Sequence, residues 1–97
     1  MFIISLTYIK PLSEVEQHFD DHMAYVKTYY QQGVFLASGK KVPRTGGVIL
    51  AKANSLAEIE QIVALDPFCQ AGLVDVQITE FIATNAQDSL AALIEQS

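Results

Sequence analysis

Two residues of this chain, His22 and Asp66, have the types and positions that acid–base chemistry needs. On the first predicted helix, His22 falls on the shoulder of the apolar stripe that contains Val15 and Val26, so its imidazole would be partly buried. Asp66 comes three residues after Val63, on the core-facing side of the second predicted helix. A partly buried carboxylate needs a cation or hydrogen-bond donors, and His22 is the most economical partner. In such a pair the histidine is the general acid or base and the aspartate orients it.

The cations of the chain are concentrated near this predicted pair. Lys40, Lys41 and Arg44 are three of the six lysines and arginines, and they share a predicted hairpin loop. Antiparallel topology brings that loop to the end of the domain where the second helix reaches Asp66. A carboxylate or phosphate of a small ligand would be attracted there, with Lys40 and Arg44 as the predicted contacts. The alternative is a solvated hairpin.

Each of these residues also has a structural interpretation. His22 fits a hydrogen-bonded core histidine, and Asp66 fits a C-terminal helix cap or a turn-forming Asp-Pro. The spacing does not decide whether His18 contributes to the site. His18 and His22 are four residues apart and could hold a metal, but the chain lacks an HExxH motif and an obvious third ligand, so no metal is predicted. Cys69 fits a small buried hydrophobe better than a nucleophile, and no glycine motif of a phosphate or nucleotide cofactor is present.

Length, composition and charge limit the class of protein. The 97 residues are 51% hydrophobic and 18% charged, which is typical of one globular domain spanning 1–97. A net charge of −5 argues against a nucleic-acid partner, because such proteins carry a basic surface. A single cysteine excludes an intramolecular disulfide. Apolar runs are short and the start lacks a cationic region, so we expect a cytoplasmic protein without signal peptide or membrane span.

The elements that must position these residues follow from periodicity and capping. Capping boxes at Ser13–Glu16 and Ser55–Glu58 predict two helix starts, with Pro67 stopping the second helix. The predicted elements are strands over 2–9, 34–38, 47–52 and 74–82, helices over 13–32 and 55–66, and a tail helix over 88–96. This βαββαβ order predicts an α+β, ferredoxin-like fold with a four-stranded antiparallel sheet over 1–83.

Right-handed crossovers would place both main helices on one face of this sheet. The other face then exposes apolar side chains whichever register the first strand takes. A second copy of the chain would cover them, sheet on sheet, in a dimeric α+β barrel. The alternative cover is a loop or the tail helix.

Several motifs, in this order, resemble those of the YCII-related (YciI-like) family. They are the strand-forming start FIISLTYI, His22 within HMAYV, the hairpin GVFLASGKKVPRTGGVILA, and Asp66-Pro67-Phe68 followed by Gly72-Leu73. The resemblance covers about residues 1–83. It implies a dimeric α+β barrel similar to muconolactone isomerase, with an active site built on His22 and Asp66. Ser38 and Gly39 match the small residues that end the second strand beside the pocket.

The resemblance also suggests a chemistry. A relative that dehalogenates chlorinated muconolactones is the nearest hint, whereas most members have no established reaction. This chain departs from the family where many relatives carry an arginine one turn before the histidine, since His18 stands here. It also has Gly39-Lys40 in place of a frequent glycine-proline. These departures bear on the substrate more than on the fold.

The hypothesis is therefore an isomerase- or lyase-type enzyme that needs no cofactor and uses His22 and Asp66 as its acid–base pair. Its substrate would be a small anionic molecule, lactone-like or a keto acid, held by Ser38, Gly39, Lys40 and Arg44. Two alternatives remain open. The first is a non-catalytic dimeric module that binds a small molecule or a protein, and the second is a purely structural role for the pair.

Overall fold

A computed structural model describes residues 1–95 of the chain. The elements are β1 (Phe2–Tyr8), α1 (Leu12–Gln17), α2 (Phe19–Gln31), β2 (Phe35–Lys40), β3 (Gly46–Ala51), α3 (Leu56–Ala64), α4 (Pro67–Gln70), β4 (Val74–Glu80) and a 3₁₀ helix (Asp88–Leu93). The predicted tail helix over 88–96 is thus a 3₁₀ helix, and residue 96 lies outside the described residues. Within residues 1–95 no helix is long and apolar enough to cross a membrane.

The four strands form one antiparallel sheet in the order β2-β3-β1-β4. This order confirms the predicted ferredoxin-like α+β fold. The central strand β1 pairs along its length with β3, where Ile4 faces Ile49, and with β4, where Ile4 faces Ile78. Since successive side chains of a strand point to opposite faces, β1 contributes to both sides of the sheet.

The core lies between the sheet and the helices. On the inner face of β1, Phe2, Ile4 and Leu6 are at most 2% exposed. The helices cover them with buried apolar side chains, which include Val15 of α1, Val26 of α2 and Ile59 of α3. Residues at alternate positions of the strand and at helical spacing in the helices thus meet in one cluster.

The first helix differs from the prediction because it is broken at His18, whose φ of −106° and ψ of 5° separate α1 from α2. No glycine or proline stands at this break, so no local sequence signal marks it. The predicted capping box at Ser13 is wrong, since Pro11 holds the N-cap position and no side chain caps α1. At α3 the prediction is confirmed, because the Glu58 N–H donates to the Ser55 hydroxyl.

The outer face of the sheet carries apolar side chains at its centre. Ile3 faces Leu50 across the β1–β3 pairing, and Ser5 faces Val48. Ile3 and Val48 are 38% and 37% exposed. The segment after β4 contacts the domain just after the end of β3, where the ammonium of Lys52 donates to the Ala92 carbonyl at 3.2 Å. The predicted bare face is therefore present in the single chain.

Candidate functional site

His22 and Asp66, from two different helical segments, are hydrogen-bonded to each other. The distance between His22 Nδ1 and Asp66 Oδ1 is 2.8 Å. The side chain of Asp66 is 2% exposed and that of His22 is 12% exposed. An ionised carboxylate only accepts hydrogen bonds, so Nδ1 carries the proton. The other ring nitrogen, Nε2, then holds a lone pair in the neutral imidazole.

Asp66 lies at the start of a helix, whereas the sequence had placed it at the end of one. The carboxylate caps α4, because the Phe68 N–H donates to Asp66 Oδ1 at 2.9 Å. Pro67 follows as the first helical residue, where its missing N–H and fixed φ are suited to a helix start. Two donors therefore compensate the burial of the carboxylate, one from α4 and one from His22.

The ring of Phe68 forms a platform under His22, a role that no sequence motif had indicated. The two rings are stacked with centroids 4.0 Å apart and planes inclined by 5°. Tyr8, at the end of β1, contacts Phe68 edge-on with centroids 6.2 Å apart. Asp66 and Phe68 thus fix the imidazole from one short turn of chain, the first through a hydrogen bond and the second by stacking.

A third contact joins the helices that carry the pair. The hydroxyl of Tyr25, one turn after His22 on α2, donates to the Ile62 carbonyl of α3 at 2.6 Å. Burial raises the pKa of Tyr25 well above its usual range, and the charge of Asp66 raises it further. Tyr25 therefore stays a neutral donor at physiological pH, and its hydrogen bond ties α2 to α3 beside the pair.

Beside the His22 ring, a cavity of about 200 Å³ lies between α2 and the inner face of the sheet. Among its lining residues are His22, Ser38, Gly39 and Lys40. Asp66 lies behind the imidazole and is not part of the lining. Nε2 has no hydrogen-bond partner among the described residues. In this part of the chain, every buried side-chain N or O atom has a hydrogen-bond partner, so an atom without a partner is not buried. This nitrogen is therefore reached by solvent, on the ring that lines the cavity.

Of the three clustered cations, the structure brings only Lys40 to the cavity. Gly39 and Lys40 belong to β2 and not to the predicted loop, and in this strand Lys40 faces Gly47 of β3. Lys41 donates to the Thr7 hydroxyl at 2.9 Å. The distance between Arg44 Nη1 and Oε1 of Glu16 in α1 is 3.5 Å. Arg44 is not among the residues that line the cavity. The expectation that Arg44 contacts the ligand therefore finds no geometric support.

His18 lies at a different cavity. This second space, of about 290 Å³, is lined by the loop after β1, by α1 and by the loop after α4, with Lys10 and Glu14 among the lining residues. The two histidines therefore line two different cavities. Among residues 1–95, no three His, Cys, Asp or Glu side chains come together in a way that could hold a metal ion.

Cys69 is next to the site in α4, but its thiol is poorly suited to nucleophilic attack. Burial raises its pKa to about 11, with a further contribution from the charge of Asp66.

We expect the rate of Cys69 alkylation by iodoacetamide to rise about tenfold per pH unit up to about pH 11, because only the thiolate reacts. Mass spectrometry of the modified protein measures this rate. Asp66→Asn should move the curve to lower pH, and a plateau at pH 8 to 9 in the wild type would contradict the expectation.

The fold and the site define a class: a ferredoxin-like α+β domain with a buried His–Asp pair beside a small cavity. Residues 1–82 match the family model of the YCII-related domain, and the chain belongs to this family, as the sequence motifs had indicated. A solved structure of 5-chloro-2-hydroxyhydroquinone dehydrochlorinase from Burkholderia phenoliruptrix, in complex with 2,5-dihydroxybenzoquinone, has a similar fold. Its TM-score is 0.71 at 20% identity, over 86% of this chain and 95% of that one. No curated protein matches the sequence.

Proposed function

We propose that the protein is an acid–base enzyme that needs no cofactor and acts on a small anionic carbonyl compound. The observation that carries this proposal is the state of the His22 ring. Nδ1 is bound to the buried Asp66, whereas Nε2 is open to solvent on a ring that lines the cavity. A histidine held in this way can take a proton from a bound molecule and return it.

In the proposed reaction, Nε2 removes a proton from a carbon next to a carbonyl group. Asp66 keeps the proton on Nδ1 and stabilises the imidazolium that forms. Phe68 holds the plane of the ring, so that Nε2 keeps its direction. The same proton can return to another carbon in an isomerisation, or a leaving group can depart in an elimination.

The dimensions and charge of the cavity support a small anionic substrate. Its volume of about 200 Å³ is below the range of roughly 300 to 1,000 Å³ that is typical of sites for drug-sized ligands. Lys40 supplies a cation at its wall, beside an otherwise largely apolar lining. The dehydrochlorinase of similar fold, whose complex contains a dihydroxybenzoquinone, supports ring compounds with acidic oxygens as the first candidates.

Solvent exchange in D₂O tests this proposal whatever the net reaction is. A panel of cyclic keto acids, lactones and hydroxyquinones is incubated with the protein, and the loss of C–H signals is followed by proton NMR. We expect at least one compound to exchange, and His22→Gln to slow this exchange by about 100-fold or more, which is typical of a lost general base. His18→Gln is the matched control, because His18 lies at the other cavity.

Two results would contradict the proposal. Exchange that persists in His22→Gln would remove His22 from the mechanism. If the wild-type protein bound members of the panel but exchanged none of them, a non-catalytic binding module would be the better description.

We further propose that the outer face of the sheet joins two copies of the chain in a dimeric α+β barrel. Its support is the exposed apolar centre around Ile3 and Val48. We expect the wild type to be a dimer in sedimentation velocity and Ile3→Asp to be a monomer, since the new charge would be buried against the second sheet. Val42→Asp adds the same charge at a residue that is 97% exposed and should remain a dimer. A monomeric wild type at high concentration would contradict the interface.

A further inference from the structure

We infer that Tyr8 is a catalytic residue whose hydroxyl donates a hydrogen bond to the oxygen that becomes negative when His22 takes the proton. This inference rests on the proposed function and deepens it. It assigns a role to a residue that neither the sequence motifs nor the His22–Asp66 geometry had singled out.

Tyr8 is placed at the cavity by the alternation of β1. Its side chain shares the inner face with Leu6 and follows it at the end of the strand, where both residues line the cavity. The ring is half-buried and packs edge-on against Phe68, the same ring that stacks on His22. One aromatic side chain therefore positions both the proposed base and the tyrosine.

The hydroxyl of Tyr8 is free to bind a ligand. It makes no hydrogen bond to any described residue, and no side-chain polar atom among those residues is both buried and unpartnered. Solvent therefore reaches this hydroxyl. A phenol at a partly apolar cavity wall is a neutral donor that a substrate oxygen can engage directly.

The other hydroxyl groups near the cavity are already engaged. Ser38, on the β2 wall, shares a hydrogen bond of 2.5 Å with the hydroxyl of Tyr30. The hydroxyl of Tyr25 is held by the Ile62 carbonyl at 2.6 Å. Among the side chains of residues 1–95 that line the cavity, two donors of different kinds are therefore available beside His22, the neutral Tyr8 and the cationic Lys40.

This division of donors specifies the chemical step. Nε2 of His22 takes the proton from the carbon, and the electron pair of the broken C–H bond moves toward the carbonyl. The carbonyl oxygen becomes an enolate oxygen, which accepts a hydrogen bond from Tyr8, and Tyr8 keeps its proton. Lys40 pairs with a second, permanently anionic group of the substrate. The substrate class is therefore an enolisable carbonyl compound with a separate anionic oxygen.

Binding of 2,5-dihydroxybenzoquinone tests this inference, because its ring carries both carbonyl and acidic oxygens. Absorbance titration gives the Kd for the wild type, for Tyr8→Phe and for Tyr29→Phe, a matched loss of a half-buried phenol outside the cavity lining. We expect Tyr8→Phe to raise the Kd about tenfold or more, as for a lost hydrogen bond to a charged group, and to slow D₂O exchange. Tyr29→Phe should change neither.

The outcomes separate the inference from the proposed function. If the wild type binds the quinone or exchanges a panel compound, and Tyr8→Phe does so equally well, the role of Tyr8 is overturned and the function of His22 stands. If the wild type neither binds the quinone nor exchanges any compound, the proposed function fails and the inference fails with it. Tyr8→Phe keeps the ring that packs on Phe68, and a circular dichroism melt checks that it folds like the wild type.

Discussion

Replacement of Asp66 by alanine is expected to lower the free energy of unfolding by about 3 kcal/mol. Asp66 is the only charged or polar residue among the described residues that is fully buried, at 1% exposure. Its removal leaves the Phe68 N–H without an acceptor and ends the cap of α4. It also leaves His22 Nδ1 without its partner. Urea denaturation followed by circular dichroism measures the loss.

Two further variants separate the causes. Asp66→Asn keeps an oxygen at nearly the same place, so we expect it to lose less than half of that stability while its D₂O exchange falls more strongly. Asp21→Ala removes an exposed carboxylate from the first turn of α2 and should change the free energy of unfolding by about 0.5 kcal/mol or less. An Asp66→Ala protein as stable as the wild type would show that the buried hydrogen bonds contribute little.

Gly46→Ala is the second change from which we expect a large effect. Gly46 starts β3 beside Thr7 of β1, and a Cβ atom there would overlap the backbone carbonyl of Leu6. Neither strand can yield without losing its pairing, so we expect a loss of about 2 to 3 kcal/mol, as in an overpacked core. Because Gly46 also lines the cavity, the variant should bind the quinone more weakly.

Gly39→Ala is the matched control for Gly46→Ala. Gly39 lines the same cavity from β2, but beyond its two chain neighbours no residue comes within 4 Å of the Cβ that alanine would add. We therefore expect a change below about 1 kcal/mol, measured by the same denaturation experiment. Equal losses in both variants would mean that the close approach of β3 to Leu6 is not the cause.

Much of the fold could be predicted because its signals are local. The alternation of FIISLTY, the serine cap at Ser55 and the glycine after α2 each depend on a few neighbouring residues. The break at His18 could not be predicted, since no proline or glycine stands there to mark it. Val15 of α1 and Val26 of α2 are both buried on either side of the break, and a single sequence does not show how the two helices pack.

The geometry of the candidate site is predictable where spacing on a helix determines the direction of a side chain. His22 and Asp66 were placed on the core-facing sides of their segments, and they lie within hydrogen-bond distance. The role of Asp66 as the cap of α4 differs from the prediction, because a proline at position 67 is compatible with the end of one helix as well as with the start of the next. The direction of Arg44 toward Glu16 is not predictable from the sequence, because charge clustering in a loop gives no direction for a long side chain.

The alternation of β1 has a consequence for the insertions and deletions that the chain can tolerate. Its even-numbered residues run from the core at Phe2 to the cavity at Tyr8, and its odd-numbered residues form the outer face. One residue added or removed in the middle of this strand would send every side chain beyond it to the opposite face. Tyr8 would then leave the cavity, and Thr7 would enter it. When a library of single-codon insertions is selected for folded protein, insertions within 3–7 should be depleted. Insertions in the exposed segment 42–44 should be retained.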